Sequence, residues 1–291
     1  MGARLRQFKL VDITSFAYFT LLSLVILIFH KNLKLWWVYI VIHAFIITAL
    51  LFVIELSRRK ASRFLHFVRD WYLILLVLFG FEEMNNLVTI IFPYWANPFV
   101  INLDKLIFGV HPTVWLERIT SPCLTEVMFF FYNIYFLIIP FSGAVLYLKK
   151  KRPEFDALFF NISLAYYVSY ILFLFFPAEG PWVTMTHYQT KELSGYLFFA
   201  LDKFIQGMGA IKGGCFPSSH VAGAFAAALS LFKFDRKTSF WVFLTSCGVA
   251  LSAVYSQHHH AVDSLAGILI GVLAVVAGMK ISRWQKKYKE C

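Results

Sequence analysis

The chain has 291 residues, 59% of them hydrophobic and only 15% charged, with a formal net charge of +11. That composition excludes an ordinary soluble domain. It also argues against nucleic acid as the partner: the Lys and Arg residues sit in short loops at alternate ends of apolar stretches, the positive-inside pattern of a membrane protein. Residues 13–29 form the first predicted span, behind Arg4, Arg6 and Lys9. No small-residue cleavage pattern follows it, so it reads as a retained anchor. A turn at 30–34 leads to a second span at 35–56, and Arg58, Arg59, Lys60, Arg63 and Arg69 mark the next loop. The third span, 71–92, is interrupted by Glu82, Glu83, Asn85 and Asn86 near mid-membrane. These polar residues read either as helix-to-helix hydrogen bonds or as a seat for a polar head group.

Residues 93–122 carry Pro93, Pro98, Pro112 and Pro122 and read as short amphipathic pieces along the membrane surface. The fourth span, 124–148, ends in Lys149-Lys150-Lys151-Arg152, and the fifth, 157–176, ends at Pro177. A long loop then delivers the chain to Pro217. The sixth span runs from Ser218 to Phe234, the seventh from Ser239 to Tyr255, and His258 to Asp263 opens the eighth. The expected fold is an all-α polytopic bundle of about eight transmembrane helices. It divides into spans and an interfacial segment over 1–122 and a catalytic membrane core over 123–291.

With the N-terminus inside, the inside segments are 1–12, 57–70, 149–156, 234–238 and 279–291, and each is basic. This predicts cytoplasmic termini and puts the long loop and both His-containing stretches on the exterior, periplasmic or lumenal face. Cys123, Cys215, Cys247 and Cys291 have no paired spacing, although Cys123 and Cys215 share the outer side and leave one bridge open.

Two stretches carry chemistry. In Gly213-Gly214-Cys215-Phe216-Pro217-Ser218-Ser219-His220, the glycines permit a sharp bend. Pro217 suits a helix start, and Ser218 or Ser219 can cap it. A helix start offers free N–H groups and a positive dipole end to an anion such as phosphate. The predicted phosphate cradle is therefore Gly214, Ser218 and Ser219, with Lys212 as the best local cation and Lys203 a weaker one; an exposed loop charge is the plain alternative for both. In Ser256-Gln257-His258-His259-His260-Ala261-Val262-Asp263, His259 and Asp263 stand four apart, which predicts one helical face. Asp263 then orients His259 as a nucleophile, and His220 supplies a general acid. Successive helical residues diverge by about a hundred degrees, so the three histidines do not suit one metal ion. No metal and no cofactor is expected. Glu179-Gly180-Pro181-Trp182 reads either as an entrance loop or as interfacial anchoring by Trp182.

At these residues the sequence resembles the type-2 phosphatidic acid phosphatase superfamily of integral membrane enzymes. Pro217-Ser218-Ser219-His220 matches its Pro-Ser-x-His signature, and His259 with Asp263 matches its His-x-x-x-Asp. The run from Gly214 to Ala224 and His258-His259 look most like the branch that includes inositol phosphorylceramide synthases. Two departures stand out. The first signature (Lys, six residues, Arg-Pro) is absent, since Arg152-Pro153 has no Lys at the required distance and falls on the inner side. Ser252 fits the third signature, but Ala253 stands where that signature has Arg.

The resemblance implies a lipid phosphoesterase acting through a phosphohistidine on a membrane phospholipid or isoprenoid phosphate. A head-group transferase that passes the phosphorylated group to a lipid hydroxyl is the alternative. A lipid-binding or transport protein that has lost catalysis is the third reading.

Overall fold

The computed structural model describes residues 8–60, 62–209 and 211–290. The described residues form helices joined by loops and turns, and the one β-type pairing among them is an isolated bridge between Ala178 and Gly214. In chain order the main helices are α1 (Leu10–Ile28), α2 (Trp36–Arg59), α3 (Arg63–Leu87), α4 (Asn97–Phe108), α5 (Pro122–Leu148), α6 (Arg152–Phe175), α7 (Leu197–Gly209), α8 (Ser219–Phe234), α9 (Arg236–Tyr255) and α10 (Ala261–Glu290). Seven of them, α1, α2, α3, α5, α6, α9 and α10, are long and apolar enough to cross a bilayer. The protein is an all-α integral membrane bundle.

The sixth predicted span differs in kind. At 16 residues, α8 reaches only about 24 Å at the helical rise. It lies at the centre of the bundle, packed on α5, α6, α9 and α10. Its Ala222, Gly223, Ala224, Ala226, Ala227 and Ala228 are the reason it fits there, because small side chains let backbones approach closely. A Cβ on Gly223 would lie 2.4 Å from the Tyr166 ring on α6. At the other extreme, α2 turns Val41, Phe45 and Phe52 outward as a flanking, lipid-facing helix.

The third span is displaced from its prediction. Its helix starts at Arg63, eight residues before Trp71, and ends at Leu87, so Glu82 to Asn86 lie in its last turns rather than at mid-membrane. Charged residues that read as loop are accommodated inside helices because they pair. Asp70 accepts from Lys9 at 2.6 Å and from Arg152 at 2.7 Å, and Asp156 also accepts from Lys9. Asp12 accepts from Tyr72 and pairs with Arg69. Lys149 pairs with Asp235, and Lys151 donates to the Phe234 carbonyl. Four of the five predicted inner segments, those around Lys9, Asp70, Arg152 and Asp235, are thus gathered at one end of the bundle. Arg152 starts the 24-residue α6, about 36 Å of helix from the opposite end.

Candidate active site

The opposite end of the bundle holds both His-containing stretches. Gly213 adopts φ +90°, a conformation that favours glycine. A Cβ on Gly214 would lie 2.4 Å from Ile211. The loop is pinned to the end of α6, since Cys215 N–H donates to the Ala178 carbonyl at 3.1 Å. Pro217 stays outside the helix, just ahead of the cap. Ser218 is the N-cap, its Oγ accepting from Val221 N–H. Ser219 and His220 therefore occupy the first turn, whose amides have no carbonyl four residues back. Ser219 Oγ and His220 Nδ1 are buried and have no hydrogen-bond partner, although such atoms normally find one.

The second stretch corrects the helical-face argument. α10 begins at Ala261, and His258 to His260 form an irregular turn entered through Gln257 at φ +64°. Asp263 and His259 meet for another reason. Asp263, in the first turn of α10, reaches back so that its Oδ2 accepts from His260 N–H at 2.7 Å, the returning half of a capping box. Oδ2 then lies 3.5 Å from His259 Nδ1. The nearer partner of Nδ1 is the Cys215 carbonyl oxygen, at 3.0 Å. An Nδ1–H donated to that carbonyl leaves Nε2 with its lone pair.

The three histidines diverge to three different carboxylates. His258 Nε2 is 3.1 Å from Asp202, His259 is beside Asp263, and His260 Nδ1 is 3.6 Å from Asp104. Burial holds His258 below the ordinary imidazole range, against the opposing pull of Asp202.

Cys215 is the feature that the motifs did not announce. Its Sγ donates to Asp263 Oδ2 at 3.1 Å and lies 3.3 Å from His259 Nδ1. Burial, with the Asp263 charge beside it, pushes this thiol well above its ordinary pKa. Cys123 is exposed and Cys215 buried, and both are free thiols, which removes the bridge left open by the sequence. Donor atoms of Cys215, His259 and Asp263 lie within 4.8 Å of one another, near enough to hold a metal ion.

His220 and His259 face the same cavity of about 330 Å³, with ring centroids 5.7 Å apart. The cavity descends between α3, α5 and α6 through residues at helical spacing, such as Ile162, Tyr166 and Tyr170 on α6. Gly214, Ser219 and Cys215 also line it, as do Glu82, Asp202 and Gln206. Ser218 lies just behind as the cap. No lysine or arginine is among the described residues that line it. Lys212 is exposed, and among the described residues its backbone N–H alone is engaged, donating to Asn85. Lys203 lies over the Phe199 ring. Glu83 is buried against His43 at 2.9 Å, whereas its neighbour Glu82 opens onto the cavity.

Other segments hold the site in place. Glu179 and Asn97 exchange two hydrogen bonds, and Trp182 N–H donates to the Gln257 carbonyl. Asp104, on the helix read as a surface piece, is buried and accepts from Ala261 and Val262 N–H, capping α10. α10 packs on α8 through Gly267 and Gly271, whose added Cβ atoms would lie 2.5 Å from the Ser218 carbonyl and 2.8 Å from that of Ala222. The Gly-x-x-x-Gly spacing in an apolar helix was the available signal for this contact. Asp104 offered only an acidic residue on an otherwise apolar helix.

The PAP2 superfamily profile matches residues 99–277. A PA-phosphatase related-family protein of Dictyostelium discoideum is 30% identical over 120 residues, 39% of this chain and 21% of that protein. The match thus spans about a fifth of the relative's length. No solved structure matches the chain. The matched residues run from α4 into α10 and include both histidines, while α3 adds the rest of the cavity wall, and the chain belongs to the PAP2 superfamily.

Proposed function

We propose that the protein is a lipid phosphoesterase that works through a phosphohistidine at the outer membrane face. The observation that carries this reading is the pair of rings, His220 and His259, facing one cavity with centroids 5.7 Å apart. His259 Nε2 attacks phosphorus and forms an N–P bond while the bond from phosphorus to the lipid oxygen breaks. His220 gives its proton to that leaving oxygen. The first-turn amides of α8 and the unpartnered Ser219 hydroxyl hold the equatorial oxygens. Water then attacks phosphorus, returns a proton to His220 and releases His259. Asp263 and the Cys215 carbonyl fix the imidazole. Lys212 enters only if its exposed side chain turns inward when substrate binds. The outer-face assignment rests on the basic segments gathered at the other end of the bundle.

A second reading is head-group transfer to a lipid hydroxyl, as in the inositol phosphorylceramide synthase-like branch. It is favoured by the apolar cavity wall beside the histidines, where an acceptor lipid could replace water. The test is an assay of purified protein in detergent, with EDTA and a phospholipid panel, reading water-soluble phosphate compounds and new lipids together. Release into water that disappears in His259→Ala supports the phosphoesterase. A new phospholipid formed only with added ceramide or diacylglycerol supports transfer. Failure of both across the panel returns the protein to lipid binding without catalysis. Labelling of the exposed Cys123 in intact cells by an impermeant maleimide tests the orientation.

A further inference from the structure

The cavity poses a charge problem that rests on the phosphoesterase reading. A phosphate monoester brings nearly two negative charges. Here it would meet Glu82 and Asp202 in a largely apolar cavity, with no lysine or arginine among the described lining residues. An uncompensated charge in such surroundings is costly. Two buried polar atoms, Ser219 Oγ and His220 Nδ1, nevertheless lack partners where the phosphate would sit, so the site is built for a phosphoryl group. Protonated His220 offsets at most one of those charges and Glu82 has no cation of its own among the described lining residues, so the site suits a substrate that carries one charge on its phosphate and brings its own cation.

We propose that the substrate is a zwitterionic phosphodiester, a phospholipid whose head group ends in an ammonium or quaternary ammonium. Glu82 is the cation's partner. It stands in the last turns of α3 at the outer end of the cavity, and its Oε1 lies 3.2 Å from where a Cβ on Gly209 would be. An added side chain at Gly209 would thus crowd the carboxylate. Phe81, Tyr135 and Trp182 line the same cavity, and aromatic rings attract a methylated ammonium. The far wall is apolar and continues toward Leu73 on α3 and Ile162 on α6, which suits an acyl chain. From Glu82 to Leu73 is about 13 Å along the helix. The lipid thus lies with its glycerol oxygen beside His220 and its ammonium toward Glu82. The bond from phosphorus to the glycerol oxygen breaks, that oxygen takes the His220 proton, and the phosphoamine stays on His259 until water or a hydroxyl displaces it.

The test compares phosphatidylcholine and phosphatidylethanolamine with phosphatidylglycerol and phosphatidic acid of the same chains, in mixed micelles with EDTA. The expected kcat/KM for the choline or ethanolamine lipid exceeds that for phosphatidylglycerol by about tenfold or more. Glu82→Gln collapses that ratio, and Glu82→Lys inverts it. Preference for phosphatidylglycerol or phosphatidic acid would overturn the head-group assignment and leave the phosphoesterase reading intact. If no lipid turns over, calorimetric binding of dihexanoyl phosphatidylcholine and dihexanoyl phosphatidic acid still decides. Tighter binding of the choline lipid, weakened about tenfold by Glu82→Gln, supports the proposal although the phosphoesterase reading has failed. Equal or tighter binding of phosphatidic acid sinks it.

Discussion

His259 Nδ1 lies 3.0 Å from the Cys215 carbonyl oxygen and 3.5 Å from Asp263 Oδ2, so a backbone group from the phosphate loop is its nearer partner. One contact therefore ties the His258–His260 turn to the helix start that would receive the phosphate. Asp263 acts from slightly farther away and has structural duties of its own, accepting from the His260 amide and from Cys215.

Those duties separate the expected phenotypes. His259→Ala removes the proposed nucleophile and should lower turnover at least about a thousandfold. Asp263→Asn keeps an oxygen for the His260 amide but loses the charge beside the imidazole. It should fold normally and lose about ten- to a hundredfold in turnover. Asp263→Ala also loses the cap and should cost about 1–2 kcal/mol of stability. Steady-state rates with thermal unfolding in detergent check all three, and an Asp263→Asn enzyme as slow as His259→Ala would contradict the division of labour.

Cys215 should be chemically silent in the folded protein. Its thiol is buried and donates to Asp263, and its pKa is raised. A folded group that keeps its proton more tightly than in the unfolded chain contributes stability that is complete below the unfolded pKa, and the contribution is lost as pH rises above about 8.5. Maleimide at pH 7 should modify Cys123 and spare Cys215 until denaturant is added, as read by mass spectrometry of peptides. Cys215→Ala should remove part of the alkaline loss of stability.

His258 gives the opposite sign. Its folded pKa lies below the ordinary imidazole value, so the unfolded chain takes up the proton first as pH falls. Stability from this site is complete above about 6.5 and declines as pH drops below it. The unfolding midpoint should fall between pH 7 and pH 5 in the parent protein, and less in His258→Gln. Equal slopes would remove His258 as the cause.

Much of this site was legible because its signals are local. The Pro-Ser-x-His run places His220 in the first turn of α8, and the residues around it suffice to say so. The meeting of His259 with Asp263 was also foreseen, but for the wrong geometric reason, because the turn at Gln257 delays α10 until Ala261. Cys215 and Asp104 were not legible. Their roles depend on contacts across 48 and 158 residues of chain, and neither residue type announces a partner. The start of α3 was misplaced for a related reason. Arg69 and Asp70 look like loop residues until Asp12, Lys9 and Arg152 arrive from other helices to pair with them.

Asp104 offers the sharpest test of how far the site extends beyond its two signatures. It is 1% exposed, and its two carboxylate oxygens accept from the amides of Val262 at 2.8 Å and Ala261 at 3.2 Å. Those amides start the helix that carries Asp263, and the carboxylate also complements the positive end of its dipole. Asp104→Ala should therefore leave two buried N–H groups without acceptors and cost about 2–4 kcal/mol of stability. Asp104→Asn keeps one acceptor and should cost about half of that. At a temperature where both variants remain folded, turnover should fall with kcat more than with KM, because His259 loses its fixed position while the cavity keeps its lining. A variant that melts early yet turns over at the parent's kcat would limit Asp104 to stability alone.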